Sequence, residues 1–338
     1  MSSIDIAIPC FQYGRFLRDS VGSVLRQDVD RLRVLIIDNG STDDSLDVAR
    51  EIASEDKRVH IVAHERNVGP IASLNEGIDW ATADYFIELD ADDLLAPGCL
   101  KRAMAILDSD EEIAFCHGFE QCMRDDKIPN VTPEDQLDVD WRISSGLEFI
   151  QSLCAKGYNF VGYSTVVRRT KIQKSIGHFD PHLTYANDMN MWLRLATRGK
   201  VAQTSAVQGF RRLHPGQITQ VYRDRIVMDL AGHLSNFHHF FEHEGARIPD
   251  ARRERRRVTR RIAFNALYLA VGLILNRQLN PHYPNPRLGQ RLKQSMECIF
   301  FSATTYADLL ADSLLRSAGH QVQVPDLPTS TGVSRRSS

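Results

Sequence analysis

Three carboxylates occupy four consecutive positions at Asp90-Ala91-Asp92-Asp93, directly after an apolar segment at residues 85–89. The segment predicts a buried strand, and carboxylates this close repel one another and are costly to bury. The carboxyl end of a strand is where open α/β sheets bind ligands, and a divalent cation would make the charges compatible. The pattern predicts a metal site that bridges protein carboxylates to a diphosphate. An acidic turn at the start of the next helix is the alternative.

The first 120 residues alternate between short apolar strands and amphipathic helices, as βαβ units do. Strands are predicted at residues 4–8, 34–37, 59–62, 85–89 and 113–116. Because apolar strands separated by helices form a mainly parallel sheet covered on both faces, we predict an α/β fold. Phe11, Asp38 and Asn67 come after the first three strands, so we expect them at the same sheet edge as the acidic residues.

Charge is distributed unevenly along the chain. The 338 residues carry a formal net charge of -2, with 43% hydrophobic and 25% charged residues, which is ordinary for a globular enzyme. Residues 1–100 nevertheless hold 9 basic and 19 acidic side chains, whereas residues 208–300 hold 16 basic and 7 acidic ones. The two halves are therefore expected to have different functions.

Several protein classes are excluded by what the sequence lacks. It contains neither the G-x-G-x-x-G fingerprint of dinucleotide-binding domains nor a P-loop. The six cysteines form no C-x-x-C pair and no zinc-type spacing with histidine. The first residues do not have the basic-then-apolar pattern of a signal peptide, and the longest apolar run, 262–275, is too short to span a bilayer. We expect a reducing, cytoplasmic setting.

The C-terminal third is predicted to be helical, with helices at 219–244, 250–277, 286–300 and 302–318. A tail at 323–338, rich in Ser and Thr, is expected to be disordered. The arginine-rich segment 252–261 has four interpretations: a solvated helix face, a membrane-surface anchor, a subunit contact, or a site for an acidic ligand. No recognition module supports binding to nucleic acid.

Four segments occur in the order and spacing of a known enzyme family: IPCFQ at 8–12, IDNGSTD at 37–43, RNVG at 66–69 and LDADD at 89–93. They resemble the inverting GT-A glycosyltransferases of family 2, which use nucleotide-sugar donors. The resemblance covers about residues 3–220. It implies a Rossmann-like GT-A domain at 1–218, with a nucleotide-sugar part at about 1–120 and an acceptor and catalytic-base part at about 140–218. An all-α C-terminal extension at 219–322 would follow.

The resemblance assigns the donor site to the ends of the first three strands. Phe11, next to Pro9, would stack on the base, and Asp38 would accept a hydrogen bond from the base imino N–H. Arg66 and Asn67 would border the nucleotide. The residues themselves also allow structural roles: a core aromatic for Phe11, a turn or cap for Asp38, and a solvated loop cation for Arg66.

The acidic segment would hold the donor through a metal. By resemblance, Asp90 and Ala91 contact the donor, and Asp92 ligates Mn²⁺ or Mg²⁺. His214 would be a further metal ligand or phosphate donor, and Arg211 or Arg212 a phosphate clamp. A purely structural role for the histidine, which precedes a proline, is the alternative.

A second matching segment covers Tyr185 to Arg194 and implies the catalytic base. Asp188 would take the proton of the acceptor hydroxyl as the new bond forms; capping of its own helix is the alternative. Asn187 and Trp192 would lie on the acceptor side. The sequence departs from the family at Asn187, where glutamate is usual, and this puts the acceptor class in doubt.

These observations favour a metal-dependent inverting glycosyltransferase that acts in surface glycan or polysaccharide biosynthesis. Its donor would be a nucleotide sugar, and we favour a UDP-linked one. The acceptor would be a glycan, a lipid-linked molecule or another hydroxyl compound. We also expect peripheral contact with the inner face of the membrane and homo-oligomerisation through the C-terminal helices. A non-catalytic sugar-nucleotide-binding or scaffold protein, and a sugar nucleotidyltransferase, are the alternatives.

Overall fold

The computed structural model describes residues 1–123, 139–183, 185–214, 217, 225–275 and 288–317. Its centre is one nine-stranded sheet in the order β3-β2-β1-β4-β8-β6-β9-β5, with β7 paired to β9. The strands are β1 (Ile4–Cys10), β2 (Leu32–Asp38), β3 (Val59–Ala63), β4 (Tyr85–Glu88), β5 (Leu94–Leu95), β6 (Ile113–Met123), β7 (Trp141–Ser144), β8 (Val167–Arg169) and β9 (Lys200–Arg212).

Helices connect the strands and cover the sheet. They are α1 (Gly14–Leu25), α2 (Ser45–Glu55), α3 (Pro70–Trp80), α4 (Cys99–Ser109), α5 (Gly146–Lys156), α6 (Thr170–Ile176), α7 (Asn187–Ala196), α8 (Ile226–Glu242), α9 (Ala251–Ile274) and α10 (Leu288–Ser317). The predicted α/β fold with a helical C-terminal part is confirmed. The predicted tail at 323–338 and the boundary at residue 218 lie outside the described residues.

The four strands β3-β2-β1-β4 are all parallel, as the βαβ rhythm predicts. Successive residues of a strand point to opposite faces, so the sheet separates two apolar cores. Ile6 and Ile8 lie in one core and Ala7 in the other, all without exposed surface. The remaining part is mixed, because β8 runs antiparallel to both β4 and β6.

Two boundaries differ from the sequence prediction. Strand β6 continues to Met123 instead of ending at Cys116, because its polar second half pairs with β9. The two helices predicted at 286–300 and 302–318 are one helix, α10. Ser302 does not interrupt it because its side chain packs inward, and Thr305 donates to the Phe301 carbonyl of the same helix at 2.8 Å.

The C-terminal helices share a core with the preceding part of the chain. Ile262 and Leu269 of α9 belong to the same buried cluster as Phe149 of α5 and Trp192 of α7. Asn265 also donates to the Lys156 carbonyl at 2.9 Å. None of the helices in the described ranges combines the length and the apolar character needed to cross a bilayer.

Candidate active site

Two loops at the carboxyl edge of the parallel strands are tied together by Asn39. Its Nδ2 donates to Asn67 Oδ1 at 3.1 Å, and its Oδ1 accepts from the Val68 amide at 2.9 Å. Gly40 has a φ of +69°, and a Cβ there would lie 2.5 Å from the carbonyl carbon of Arg66. The loops after β2 and β3 are thus in backbone contact, which leaves the side chains of Arg66 and Asn67 exposed.

Asp38 has one buried carboxylate oxygen that accepts no hydrogen bond from the described part of the chain. Its Oδ2 accepts from the Ser41 amide at 3.2 Å, whereas Oδ1 has no hydrogen bond among the described residues. A buried acceptor without a donor is costly, so a ligand N–H is the natural partner. Pro9 lies opposite Ile37 in the β1–β2 register, which brings Phe11, 41% exposed, to the same edge.

The acidic segment 90–93 forms a turn whose three carboxylates have different surroundings. Asp90 is exposed, whereas Asp93 is buried with the backbone of Ala91 beside it. Asp93 accepts from Ser164 Oγ at 2.9 Å and from the Arg212 amide at 3.0 Å. Asp93 therefore fastens the turn, while Asp90 is accessible to a ligand.

Asp92 and His214 meet although they are 122 residues apart in sequence. Nε2 of His214 lies 3.0 Å from Oδ2 of Asp92, and both side chains are less than one-tenth exposed. The imidazole packs against Phe16 and Tyr13, with ring centroids 4.8 and 5.5 Å away. The expected pair of metal ligands is thus brought together.

The donor set of this pair fits a hard divalent ion. Among the described residues no group of three or more histidine, cysteine, aspartate or glutamate side chains is arranged to hold a metal. A carboxylate oxygen and an imidazole nitrogen are nevertheless suitable ligands for Mn²⁺, and such ions commonly complete their shell with water and phosphate oxygens. Asp92 and His214 could therefore hold an ion that also binds a diphosphate.

The buried side chain of Arg212 contacts the backbone of the acidic turn. Its Nε donates to the Asp92 carbonyl at 2.9 Å, and its guanidinium lies 4.6 Å from the centre of the Phe16 ring. Only 2% of the residue is exposed, and a further contact is with Asp19 at 3.5 Å. In this conformation the guanidinium contacts the Asp92 carbonyl, the Phe16 ring and Asp19. It is therefore not free to act as the predicted phosphate clamp.

Asp188 lies in the first turn of α7 and is held by a side chain from a distant loop. Asn159 Nδ2 donates to Asp188 Oδ2 at 2.7 Å. Burial raises the pKa of Asp188 above its usual value, whereas its hydrogen bonds and His233 oppose this shift. Asn187, the first residue of the helix, is half-buried beside it. A carboxylate with a raised pKa is a stronger base than an ordinary aspartate.

Trp192, expected on the acceptor side, lies instead in the core. It has no exposed surface, and its ring centroid lies 6.0 Å from that of Tyr163 and 6.2 Å from that of Phe115. Four residues after Asp188 on α7, it faces inward because α7 packs against the sheet. The tryptophan supports the helix that carries Asp188 and has no surface with which to touch an acceptor.

The sequence profile described as Glycosyl transferase family 2 matches residues 5–175, just over half of the chain. The chain belongs to this family. An uncharacterised glycosyltransferase of Haemophilus influenzae is 23% identical over 229 residues, which cover 65% of this chain and 68% of the relative. The next two relatives are matched over 56% and 51% of their own lengths.

Solved structures share the fold at low identity. S. aureus TarS 1–349 in complex with UDP-GlcNAc has a TM-score of 0.54 at 13% identity, with 90% of this chain and 92% of that chain covered. The mannosyltransferase PcManGT from Pyrobaculum calidifontis, in complex with GDP-Man and Mn²⁺, has a TM-score of 0.55 at 16% identity, with 91% and 88% covered. The chain is thus a glycosyltransferase with the GT-A fold of its family.

Glu120 lies within electrostatic reach of the Asp92 and Asp188 carboxylates, although the sequence did not indicate it. The Asp92 and Asp188 carboxylates both influence its pKa, which burial raises above the usual value. Arg211 Nε lies 3.7 Å from Glu120 Oε2, and a Cβ on Gly162 would lie 2.5 Å from the Glu120 Cβ. Glu120 was missed because β6 was predicted to end at Cys116. Residues 117–123 show no alternation of apolar and polar types, so the sequence carried no local strand signal beyond Cys116.

A buried ion pair lies between β4 and β8, next to the acidic turn. Arg168 Nη2 donates to Glu88 Oε2 at 2.7 Å, and both side chains are 1% exposed. Tyr163 donates to the same oxygen at 2.9 Å. The pair joins β4 to β8 immediately before the acidic turn. Removing either partner would leave an uncompensated charge in the core.

Proposed function

We propose that this glycosyltransferase moves a sugar from a nucleotide-sugar donor to an acceptor hydroxyl, with inversion of the anomeric centre and with Mn²⁺ or Mg²⁺ as cofactor. The observation that carries the proposal is the contact between Asp92 and His214 at the edge where Asp38 has its unpaired oxygen. That edge can bind a base, a diphosphate and a cation together. UDP-GlcNAc and GDP-Man in the similar structures support a donor of this class.

Asp38 supports a donor whose base has an imino N–H. Uracil, thymine and guanine present such a group, whereas neutral cytosine and adenine do not. Phe11 is exposed enough to lie against the base, and Arg66 is exposed enough to reach a phosphate or the base. A UDP-linked sugar is the donor that we favour.

Asp92 and His214 would hold the cation. When bound, the ion supplies positive charge that stabilises the nucleoside diphosphate as it leaves. Asp93 and Arg212 keep the acidic turn in place through the bonds to Ser164 and to the Asp92 carbonyl. This arrangement fixes the position of Asp92 before the donor arrives.

Asp188 would act as the general base. Its carboxylate would accept the proton of the acceptor hydroxyl while that oxygen attacks the anomeric carbon from the face opposite the diphosphate. Direct displacement from that face inverts the configuration. Asn159 orients the carboxylate through its bond to Oδ2.

The acceptor is proposed to be a surface glycan, a lipid-linked molecule or another hydroxyl compound. A cytoplasmic location at the inner face of the membrane belongs to the same proposal. It is supported by six free cysteines, five of which are buried, since structural disulfides are rare in reducing compartments.

The experiment combines donor binding with donor turnover. UDP-, GDP- and dTDP-sugars are screened by thermal shift with and without Mn²⁺, and nucleoside diphosphate release is then measured with acceptor panels. Asp92→Ala is expected to abolish the Mn²⁺-dependent shift, and Asp188→Asn is expected to keep it while losing about 10²–10⁴-fold in rate. Asp47→Asn, an exposed carboxylate on α2, serves as the matched control.

Two results would contradict the proposal. Full transfer by Asp188→Asn would show that Asp188 is not the general base. An unchanged Mn²⁺-dependent thermal shift in Asp92→Ala would show that Asp92 is not a metal ligand. Donor binding by the wild type without turnover on any acceptor would favour a binding protein instead. A product that retains the anomeric configuration would exclude direct displacement.

A further inference from the structure

The outward face of α9 changes character along its length. Arginines occupy the first half of this face, and apolar side chains continue at the same three- and four-residue spacing. The face consists of Arg253, Arg257, Arg260, Phe264, Leu267, Val271 and Ile274. The four apolar side chains are 43–55% exposed in the described part of the chain. A surface helix normally places polar residues there, so this stripe is expected to have a partner.

The basic half borders a cavity of about 1200 Å³. Its lining includes six arginines: Arg252, Arg253, Arg256, Arg257, Arg260 and Arg261. Arg257 is 3.4 Å from Glu254 and Arg253 is 4.0 Å from Asp250, but the other four have no ion pair within the described ranges. Guanidinium groups bind phosphate oxygens in a bidentate manner, so the cavity is suited to phosphate-bearing anions.

The neighbouring helix α10 extends the apolar half. Ser295 donates to the Ala270 carbonyl at 3.2 Å, and the Tyr306 hydroxyl donates to the Arg260 carbonyl at 3.5 Å, which fixes the antiparallel register. In this register Met296 and Phe300, 72% and 71% exposed, lie at the level of the apolar half of α9. The basic and apolar regions are therefore adjacent.

We propose that this face, formed by α9 and the exposed side chains of α10, docks onto a bilayer that contains anionic phospholipids. A bilayer presents phosphate and hydrocarbon in adjacent layers, which matches arginines followed by Phe264, Leu267 and Val271 along one stripe. A two-fold contact with a second copy through the apolar halves would leave the arginines of both copies without an anionic partner. Charge complementarity therefore favours the bilayer.

Helix α9 also packs against the end of α5, close to the residue that hydrogen-bonds Asp188. Gly157, at the end of α5, packs so closely on α9 that a Cβ there would lie 3.1 Å from side-chain atoms of Arg261 and Ile262. Asn159, which holds Asp188, follows two residues later. The docking itself does not depend on the proposed transfer reaction.

Vesicle sedimentation of the full chain tests the proposal. The wild type is expected to sediment with vesicles of phosphatidylcholine mixed with phosphatidylglycerol, but not with phosphatidylcholine alone, and less at high salt. Replacing Arg253, Arg256 and Arg260 together by Ala should weaken binding about fivefold per arginine and about a hundredfold in all. The control replaces Arg50, Arg142 and Arg198, which are exposed elsewhere, by Ala and should bind as the wild type does.

The apolar half is tested separately. Phe264→Ser with Val271→Ser should weaken binding to the mixed vesicles, whereas Ile143→Ser with Met228→Ser, 44% exposed at both positions, should not. Melting temperatures identify variants that misfold, and donor-induced thermal shifts in the absence of vesicles should be unchanged in all of them.

Three outcomes would overturn the proposal: no sedimentation with either vesicle, equal sedimentation with both, or full binding by the arginine variant. Light scattering would also overturn it by revealing a wild-type dimer that Phe264→Ser with Val271→Ser dissociates, because the face would then join two copies of this chain. Asp188→Asn separates the two proposals, because it should lose transfer while binding vesicles as the wild type does. Full transfer in this variant would contradict the proposed function alone, and failure of the wild type to bind vesicles would contradict docking alone.

Discussion

Asp38 uses its two carboxylate oxygens for different purposes. One accepts from the Ser41 amide and stabilises the turn after β2, whereas the other is buried without a partner among the described residues. The structural and the binding interpretation of this residue are therefore compatible. Asp93 differs from it, because the hydrogen bonds that its carboxylate accepts from Ser164 and from the Arg212 amide hold the acidic turn in place.

The pH dependence of the reaction can be predicted from Asp188. Burial raises its pKa, so the rate is expected to fall on acidification at a pH above 4, the value typical of aspartate. Asn159 opposes the shift because its Nδ2 donates to the ionised carboxylate. In Asn159→Ala the pKa of Asp188 should rise further and move the acid limb of the pH–rate profile to higher pH.

Asn265→Ala is the matched control, since this amide donates to the Lys156 carbonyl instead. Titratable groups that interact electrostatically with Asp188 include His233 on α8 and Glu120 on β6. Both residues are unchanged in the two variants. An acid limb at the same pH in Asn159→Ala as in the wild type would show that Asn159 does not tune the base.

At the scale of elements, the donor site depends on how closely two loops approach. The loops after β2 and β3 meet through Asn39 and through Gly40, which has no room for a side chain. The long strand β6 has a comparable role on the other side, because its second half carries Glu120 toward Asp188. In both places backbone geometry decides which side chains meet.

Gly40→Ala is expected to lower both stability and donor affinity. A Cβ at φ +69° and 2.5 Å from the Arg66 carbonyl carbon would push the loops apart. Gly69→Ala is the control, because Gly69 also has a positive φ of +94° but nothing lies within 4 Å of its Cβ position. The control should cost roughly 1–3 kcal/mol for its positive-φ backbone alone. Urea unfolding measures the stability of each variant, and donor-induced thermal shifts measure its donor affinity. Equal losses in Gly40→Ala and Gly69→Ala would contradict this account.

At the scale of the whole molecule, the C-terminal helices share one of the two cores with the sheet. Ile262 of α9 is fully buried in the cluster that contains Trp192 and Phe149. The glycosyltransferase part and its helical extension are therefore expected to unfold together. The docking face is the opposite side of the same helix, so binding to a bilayer would act on a rigid body.

Ile262→Ala tests this shared core. Removing a buried isoleucine side chain should lower the free energy of unfolding by about 2–5 kcal/mol while keeping one cooperative transition. Ile274→Ala, on the same helix but 55% exposed, should change it by less than about 0.5 kcal/mol. Tryptophan fluorescence, which reports on Trp80, Trp141 and Trp192, and far-UV circular dichroism should give the same midpoint. Separate midpoints would show that the extension unfolds independently.

The sequence by itself determined the parallel half of the sheet and the residues at its carboxyl edge. Strand periodicity and the residues that follow each strand are local features, so Phe11, Asp38, Asn67 and the acidic turn could be placed without coordinates. The single helix α10 and the full length of β6 could not be predicted in this way, because inward packing of Ser302 and pairing with β9 overrode the local pattern.

Only the tertiary structure decided which distant residues meet and which are buried. It brought His214 to Asp92 across 122 residues, placed Glu120 near Asp188, and buried Arg212 and Trp192. It also showed that the outward face of α9 is basic in one half and apolar in the other. The physical reason is that contacts and burial depend on how separate elements pack, and a linear pattern of residue types does not contain that information.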